Sequence, residues 1–230
     1  MEEREHELGN KEELKDAFGV DLERRKEMMD LDAELVVRRC LRKKLQPREL
    51  LKLKFDPTDP FMIGRYSEEK IHETLESVDN LRDYDLKEKT DYEQAVDAVG
   101  LIFNNLAEFE FADQGRLRHA SEGIMESMKN QKEAGILQYE LRNKDGHISL
   151  MIHVPPQAEN LTRGKLREAR QRLAEVVKND VSIEEIEGSS LLLEHPLVRK
   201  LGFEIDQESD EGFTPNFHMA REEFLERFTH

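Results

Sequence analysis

Apolar residues at helical spacing dominate the first half of the chain. Within residues 21–45 they form one broad stripe, made of Leu31, Leu35, Val36, Val37, Cys40, Leu41 and Leu45. This spacing predicts an amphipathic helix. Pro47 sets its end, because the residue before a proline is driven out of helical backbone geometry. A restart of the helix at Asp30 or Asp32, either of which can act as a cap, is left open.

Further helices are predicted in the middle of the chain. Ser67 can cap one of them, and residues 90–93 have the sequence of a capping box. The apolar residues behind that box keep helical spacing: Ala95, Val99, Ile102, Phe103 and Leu106. Phe109 and Phe111 are expected in an acidic loop, and residues 114–133 predict another helix.

After this region, the apolar residues no longer recur at helical spacing but alternate with polar residues. Residues 136–141 predict a strand, Asp145-Gly146 predicts a hairpin turn because this pair accepts positive φ angles, and residues 147–154 predict a second strand. In the second strand one face carries Ile148, Leu150, Ile152 and Val154, and the other carries His147, Ser149, Met151 and His153. A helix over residues 161–177 is expected to follow.

The last quarter of the chain allows two interpretations at one point. Residues 181–187 contain a capping-box sequence, which fits a helix, and β-branched residues, which fit a strand. We favour the strand, because a parallel strand after a helix completes a compact unit. A helix over 188–202, a short strand over 203–205 and a helix starting at Thr214-Pro215 are expected beyond it. Whether the first of these helices is kinked at Pro196 or begins afresh there is left open. The inner face of that last helix would be Phe217, Ala220, Phe224 and Phe228.

These elements predict an α+β fold, with a helix-rich N-terminal part followed by a small mixed β-sheet flanked by helices. The chain of 230 residues suits one large domain or two small ones. We divide it into a helical arm with a basic patch (1–55), a helical region (61–134) and an α/β domain (135–230). The alternative that the last two form one domain is left open.

Composition narrows the class of protein. The formal net charge of −16 keeps the chain, on average, away from nucleic acid and anionic membranes. The single cysteine, Cys40, excludes an intrachain disulfide and is typical of a reducing compartment. No apolar run is long enough to span a membrane, and the N-terminus lacks the pattern of a signal peptide. A cytoplasmic protein without membrane contact is predicted.

One basic stretch opposes the acidic average. Residues 38–54 contain Arg38, Arg39, Arg42, Lys43, Lys44, Arg48, Lys52 and Lys54 against one acid, Glu49. Such a cluster can bind the phosphate backbone of nucleic acid or an acidic protein. It can equally be a solvated helix face that meets the protein's own acids, for example those in 204–211. Only Phe55 borders it, which disfavours stacking on single-stranded bases.

Two histidines share a face of the second predicted strand. His147 and His153 are six residues apart, and a strand rises about 3.3 Å per residue, so they lie about 20 Å from each other. That distance excludes a shared metal ion. No metal site is predicted from the sequence.

A family resemblance covers roughly residues 136–205. Val154-x-Pro156 followed by Arg163-Gly164 resembles the strand end and pyrophosphate loop of the GNAT acyltransferase superfamily, and residues 197–204 resemble the end of its last helix. The resemblance implies acyl-CoA as ligand, held by Val154, Arg163 and Gly164. The start of a helix with free amides and nearby cations is also a suitable anion site on physical grounds.

The chain departs from the family pattern at defined positions. Leu161 and Leu166 stand where the family loop has its outer polar and small residues, and Val198 stands where the family has a tyrosine acid. The first half is helical where the family has strands. His153 or Glu140 would be the base in such an enzyme.

The sequence favours one function and leaves a second as the alternative. The first is a non-enzymatic interaction or regulatory protein, in which Arg38, Arg39, Arg42, Lys43, Lys44 and Arg48 bind a protein partner or nucleic acid. The second is an acyl-CoA-dependent N-acyltransferase-like protein, or a degenerate relative that binds acyl-CoA. A homo-oligomer formed through the N-terminal helix is left open, and so is the question of catalysis. No catalytic motif such as Gly-x-Ser-x-Gly or a Walker loop is present.

Overall fold

A computed structural model describes residues 22–58, 62, 65–112, 131–153, 162–199, 202–206 and 212–229. These residues form helices and a five-stranded mixed sheet, which confirms the predicted α+β class. The chain divides into two compact units, Met1–Ser127, here the helical unit, and Met128–His230, here the sheet unit. Among the described helices, none combines the length and the apolar character that a membrane crossing requires.

The first described element of the helical unit is α1, Leu22–Lys43, which runs without a break past Asp30 and Asp32. Lys44 follows with a φ of 57°, and α2, Pro47–Lys54, starts behind Gln46. Gln46 caps α2 reciprocally with Glu49, whose carboxylate accepts the Gln46 backbone N–H at 2.7 Å. The predicted break at the proline is confirmed.

Two further helices follow α2 among the described residues of the helical unit. Helix α3, Glu68–Asp79, starts where predicted, with Ser67 Oγ accepting the Lys70 N–H at 3.1 Å. Helix α4 spans Lys89–Ala112, so Thr90 lies inside it and is not its cap. The helix also continues through Phe109 and Phe111, which were predicted to lie in a loop. Tertiary contacts explain this extension, because Phe109 packs on Tyr66 with ring centroids 6.3 Å apart.

The core of the helical unit lies between α1 and α4, which pack closely along their lengths. Residues Ala33, Val36 and Val37 of α1 are fully buried there, as is Val99 of α4. Gly100 faces α1 at this contact, and a Cβ at this position would lie at an ordinary contact distance of 3.8 Å from the Ala33 Cβ. The apolar stripe predicted for α1 thus lies largely inside its own unit, while Leu31 and Leu41 remain exposed.

The sheet unit is built on five strands in the order β1-β2-β3-β4-β5. They are β1 Lys132–Ala134, β2 Leu137–Lys144, β3 His147–His153, β4 Ile183–Ser189 and β5 Asn216–Ala220. Strands β3 and β4 are parallel, and the other neighbouring pairs are antiparallel. The predicted hairpin is confirmed, with Asp145 at φ 55° and Gly146 at φ 91°. So is the choice of strand for 181–187.

Helix α5, Arg163–Asn179, connects β3 to β4, and α6 (Pro196–Arg199) and α7 (Arg221–Phe228) follow β4 and β5. Helices α5 and α7 cover the same face of the sheet. The core between them and the strands includes Leu150, Leu173, Ile183, Ile186 and Phe224, all fully buried.

Four predictions for the sheet unit were wrong in whole or in part. Residues 188–202 are not one helix: Gly188 and Ser189 end β4, and a 3₁₀ turn over Leu191–Glu194 follows. The alternative of a fresh start near Pro196 agrees with α6, which begins at that residue. Residues 203–205 are not a strand, and residues 216–220 form β5 rather than the start of a helix. The end of the helix predicted over 114–133 is strand β1. Pairing with a neighbouring strand decides these cases over local preference.

Some predictions fall outside the described residues. They concern Val154, Leu161, residues 1–21 of the helical arm, most of the 114–133 helix, and acids 207–211.

Candidate functional site

A small apolar cavity lies at the carboxyl ends of the parallel strands β3 and β4. It is lined by Leu137, Ile152, Leu166, Ser189, Ser190, Leu192, Leu193, Val198, Phe203 and Phe217, and its volume is about 30 Å³. Ile152 and Gly188 are the last paired residues of the two parallel strands. The carboxyl ends of parallel strands are where α/β sheets commonly hold ligands.

One wall of the cavity is fixed by a glycine. A Cβ on Gly188 would lie 2.4 Å from Phe217 Cε1 and 3.1 Å from the backbone oxygen of Ile152, so only glycine fits beneath this ring. Phe217 in turn packs edge-on against Phe203, with centroids 5.1 Å apart. Phe203 contacts Phe228 at 5.2 Å. These contacts hold the wall in place.

The start of α5 follows β3 in the chain. Thr162 caps it, with Oγ1 accepting the Lys165 N–H at 3.3 Å. Arg163 and Gly164 form the first turn and are exposed. A Cβ on Gly164 would meet nothing closer than Thr162 Oγ1 at 4.0 Å, so the backbone is open to the surroundings at this point. The resemblance assigned Arg163 and Gly164 to ligand binding, and Val154 lies outside the described residues.

The sheet face opposite α5 carries polar side chains. His153 lies at the carboxyl end of β3, and its Nε2 is 3.3 Å from Glu140 Oε1. Arg142 donates to the same oxygen from Nε at 2.7 Å. Partial burial raises the pKa of Glu140, but the hydrogen bond and charge of Arg142, together with His153, outweigh it and hold the pKa below its ordinary value. The two residues named as possible bases are therefore neighbours, and Glu140 is held ionised.

The same face has two more pairs that the sequence did not indicate. Ser149 Oγ donates to Glu187 at 2.7 Å, and His218 Nε2 lies 2.7 Å from Glu185. His218 was not recognised as a member of this face because β5 was not predicted. The alternation of Phe217 and Met219, both buried, with exposed His218 was the signal for it.

His147 stands apart from these pairs. Its Nδ1 lies 2.7 Å from Glu184, and this exposed hydrogen bond raises the pKa of His147. His147 and His153 thus have different partners. Over the described part of the chain, no group of three or more His, Cys, Asp and Glu side chains is placed to hold a metal ion.

The basic residues 38–54 have mixed surroundings. Arg39 is fully buried, so its guanidinium is not part of a surface. Arg38 pairs with Glu34 at 2.6 Å, and Arg48 donates to the Leu81 carbonyl at 3.2 Å and to Asp83 at 3.0 Å. Arg42 and Lys43 are partly buried in the last turn of α1, and Lys44 is exposed.

These contacts lie within the helical unit. Of the acids that the sequence offered as internal partners, Glu204 pairs with Arg227 at 3.1 Å. Binding of a partner through this stretch stays a prediction.

Lys54, at the end of α2, has an unusual environment. It is partly buried, and its Nζ lies 5.7 Å from the centroid of the Phe103 ring and 6.0 Å from that of Phe55. Burial lowers the pKa of Lys54 to about 8, with further lowering by Arg65 and Arg25, while Asp32 and Glu110 oppose the shift.

We expect Lys54→Met to stabilise the helical unit at pH 7 by about 1–2 kcal/mol after allowance for solvent screening. The folded pKa lies below the ordinary value of 10.5, so the unfolded chain binds more protons between these two pH values. Stability of the wild type therefore rises with pH across this window, and the advantage of the variant shrinks. Urea unfolding at pH 7 and pH 9.5 measures both effects.

Lys52→Met is the matched control, because Lys52 is half exposed and pairs with Asp79 at 2.5 Å. We expect it to change stability by less than about 0.5 kcal/mol. A Lys54→Met protein that is less stable than the wild type at pH 7 would contradict the expected cost of this charge.

Comparison of the chain with protein-family models, with curated proteins and with solved structures gives no match.

Proposed function

We propose that the sheet unit binds acyl-CoA and serves in transfer of the acyl group to an amine. The observation that carries this proposal is the apolar cavity at the carboxyl ends of β3 and β4. In the chain order, β3 is followed by α5. An acyl group is apolar, and burial in such a cavity removes it from water. The order of hairpin, helix and parallel strand agrees with the family that residues 136–205 resemble.

The start of α5 suits the phosphates of the ligand. The first backbone N–H groups of a helix have no partner within the helix, and the helix dipole favours an anion there. Arg163 adds a positive charge, and Gly164 leaves the backbone accessible. The absence of an acidic residue from the first turn of α5 agrees with this use. Thr162 already occupies the Lys165 N–H, so the amides of residues 163 and 164 would be the donors.

The two residues named as possible bases, His153 and Glu140, lie on the other sheet face, whereas the cavity lies on the α5 face. Bound acyl-CoA would provide an activated thioester, and the attacking amine must lose a proton. For His153 to accept that proton, the amine would have to approach the carboxyl end of β3 from this face, where His153 Nε2 lies 3.3 Å from Glu140 Oε1. Arg142 keeps Glu140 in its charged form.

The acid position of the resembled family has no equivalent here. Val198 is buried and lines the cavity, so it offers no proton to a leaving thiolate. In this proposal the thiolate takes its proton from solvent. We expect slow turnover from such an arrangement. A measurement of binding therefore tests the proposal better than a measurement of the reaction rate.

Isothermal titration calorimetry with acetyl-CoA tests the proposal. We expect wild-type protein to bind with a Kd in the micromolar range, and Arg163→Glu to weaken binding by roughly tenfold, because it replaces a cation beside the phosphates with an anion.

Arg172→Glu is the matched control on the same helix, where Arg172 is exposed and pairs with Glu168 at 2.7 Å. It makes the same change of charge about two and a half turns further along α5. The affinity of this variant for acetyl-CoA should stay within about twofold of the wild type. Absence of binding heat for wild-type protein at a ligand concentration on the order of 1 mM, far above a micromolar Kd, overturns the proposed function.

A further inference from the structure

We infer that the cavity selects short acyl groups and excludes long ones. This inference rests on the proposed function and concerns the same site. It assigns to Phe217 and Leu192 the role of walls that limit the length of the acyl chain.

The volume of the cavity sets the limit. A cavity of about 30 Å³ has room for about two water-sized groups, since one such group needs roughly 10–15 Å³ on this measure. An acetyl group, with a methyl carbon beyond its carbonyl, fits this space. A chain of eight carbons does not fit unless a wall moves.

The walls have little freedom to move. Phe217 cannot recede towards the strands, because its ring already lies against the Gly188 backbone, where not even a methyl group fits. On its other side it contacts Phe203, which is 5% exposed and is itself packed against Phe228. Protein interiors at this density resist expansion, so the limit on length is built into the packing.

The polar groups lie at one edge of the cavity. Ser190 Oγ accepts the Leu192 N–H at 3.1 Å, and the Ser190 N–H donates to the Pro215 carbonyl at 3.1 Å. Ser190 is therefore held by its own turn. Ser189, at the end of β4, is exposed and lines the cavity, so we place the entry of the ligand beside it. The apolar end of the acyl group would then point away from Ser189 and towards Phe217.

Calorimetry with coenzyme A, acetyl-CoA, butanoyl-CoA and octanoyl-CoA tests the inference. In a site without a length limit, each further buried methylene tightens binding by roughly fourfold. We expect the opposite order, with acetyl-CoA bound at least about tenfold more tightly than octanoyl-CoA. Phe217→Ala should reverse the preference, because it removes the wall.

Leu192→Ala is a second variant that enlarges the cavity. It keeps the test valid if the Phe217→Ala protein does not fold. Leu192 is only partly buried, so its truncation perturbs the core less than loss of Phe217 does. We expect octanoyl-CoA to bind this variant within about threefold of acetyl-CoA. Leu225→Ala is the matched control, since Leu225 is also partly buried against the same core but does not line the cavity. It should keep the wild-type ratio.

The outcomes separate the two proposals. Equal or tighter binding of octanoyl-CoA by the wild type, or a Leu192→Ala ratio equal to that of Leu225→Ala, overturns the length limit and leaves the proposed function standing. Failure of the wild type to bind coenzyme A and every thioester overturns both.

Discussion

Replacement of Glu110 by alanine should lower the free energy of unfolding of the helical unit by about 3–5 kcal/mol, the largest effect expected in that unit. Glu110 is 2% exposed in the last turn of α4. Its Oε1 accepts from Arg65 Nε at 2.7 Å and from Tyr66 Oη at 2.5 Å, and its Oε2 accepts from Arg25 Nε at 3.2 Å. Without the carboxylate, two largely buried guanidinium groups lose their counterion.

Acid should have a related effect. Burial alone raises the pKa of Glu110, but Arg65, Arg25 and the Tyr66 hydroxyl outweigh it and leave the pKa below the ordinary 4.5. The stabilisation is therefore fully present above pH 4.5 and is lost as the pH falls through the folded pKa. Urea unfolding of wild type and variant at pH 7 and at acid pH should show the difference between them shrinking in acid.

Glu108→Ala is the control for Glu110→Ala. Glu108 lies two residues earlier on the same helix, is half exposed and pairs with Lys26 at 2.7 Å. Exposed ion pairs contribute about 0–1 kcal/mol, so this variant should unfold close to the wild type. Equal effects of the two substitutions would mean that the buried cluster of Arg25, Arg65, Tyr66 and Glu110 has no special importance.

Gly188→Ala should cost about 2–3 kcal/mol in the sheet unit, although it adds a single methyl group. The new Cβ would meet the Phe217 ring at 2.4 Å and the Ile152 backbone oxygen at 3.1 Å, and the ring has no open space behind it. The ring must therefore shift into the cavity or β5 must separate from β4. Either response should also abolish acetyl-CoA binding, which thermal unfolding and calorimetry on the same protein can measure together.

Gly100→Ala supplies the comparison. Its Cβ would make ordinary contacts, 3.5 Å from Asp30 Oδ1 and 3.8 Å from Ala33 Cβ, and alanine favours the helix by up to about 1 kcal/mol. We expect this protein to be as stable as the wild type or more so. If Gly188→Ala is also as stable as the wild type, the Phe217 ring can move more easily than its packing indicates.

The hairpin and the parallel strand were predictable because their signals are local. Asp145-Gly146 specifies the turn, and alternation specifies which face of β3 is buried. Strand β4 followed from a rule of connection, since a strand after α5 pairs most simply with β3. These features need no information beyond neighbouring residues and general topology.

Strand β5 was not predictable in the same way. Phe217, Ala220, Phe224 and Phe228 have helical spacing, while Phe217 and Met219 also alternate as in a strand. Only the register with β4, in which Gly188 faces Phe217, decides between the two patterns. The cavity wall depends on this register, and so the cavity could not be derived from the sequence.

The burial of two charged residues was the other feature that the sequence did not predict. In the sequence, Arg39 is one of several basic residues in a row, and Glu110 is one of several neighbouring acidic residues. Both are nevertheless buried in the structure. The partners of Glu110 lie far away in the chain, at Arg25 and Arg65. A pattern of charges along the sequence gives the total charge of a segment, but it does not tell which members face the interior.

The parallel pairing of β3 with β4 also has a consequence for the order of folding. The β2–β3 hairpin closes through a turn of two residues, which takes on the order of microseconds. Strand β4 can join β3 only after the whole of α5 has been placed between them, at a higher cost in loop entropy. The cavity is completed by β4 and β5, so it forms last, and partly folded chains of the sheet unit would lack it.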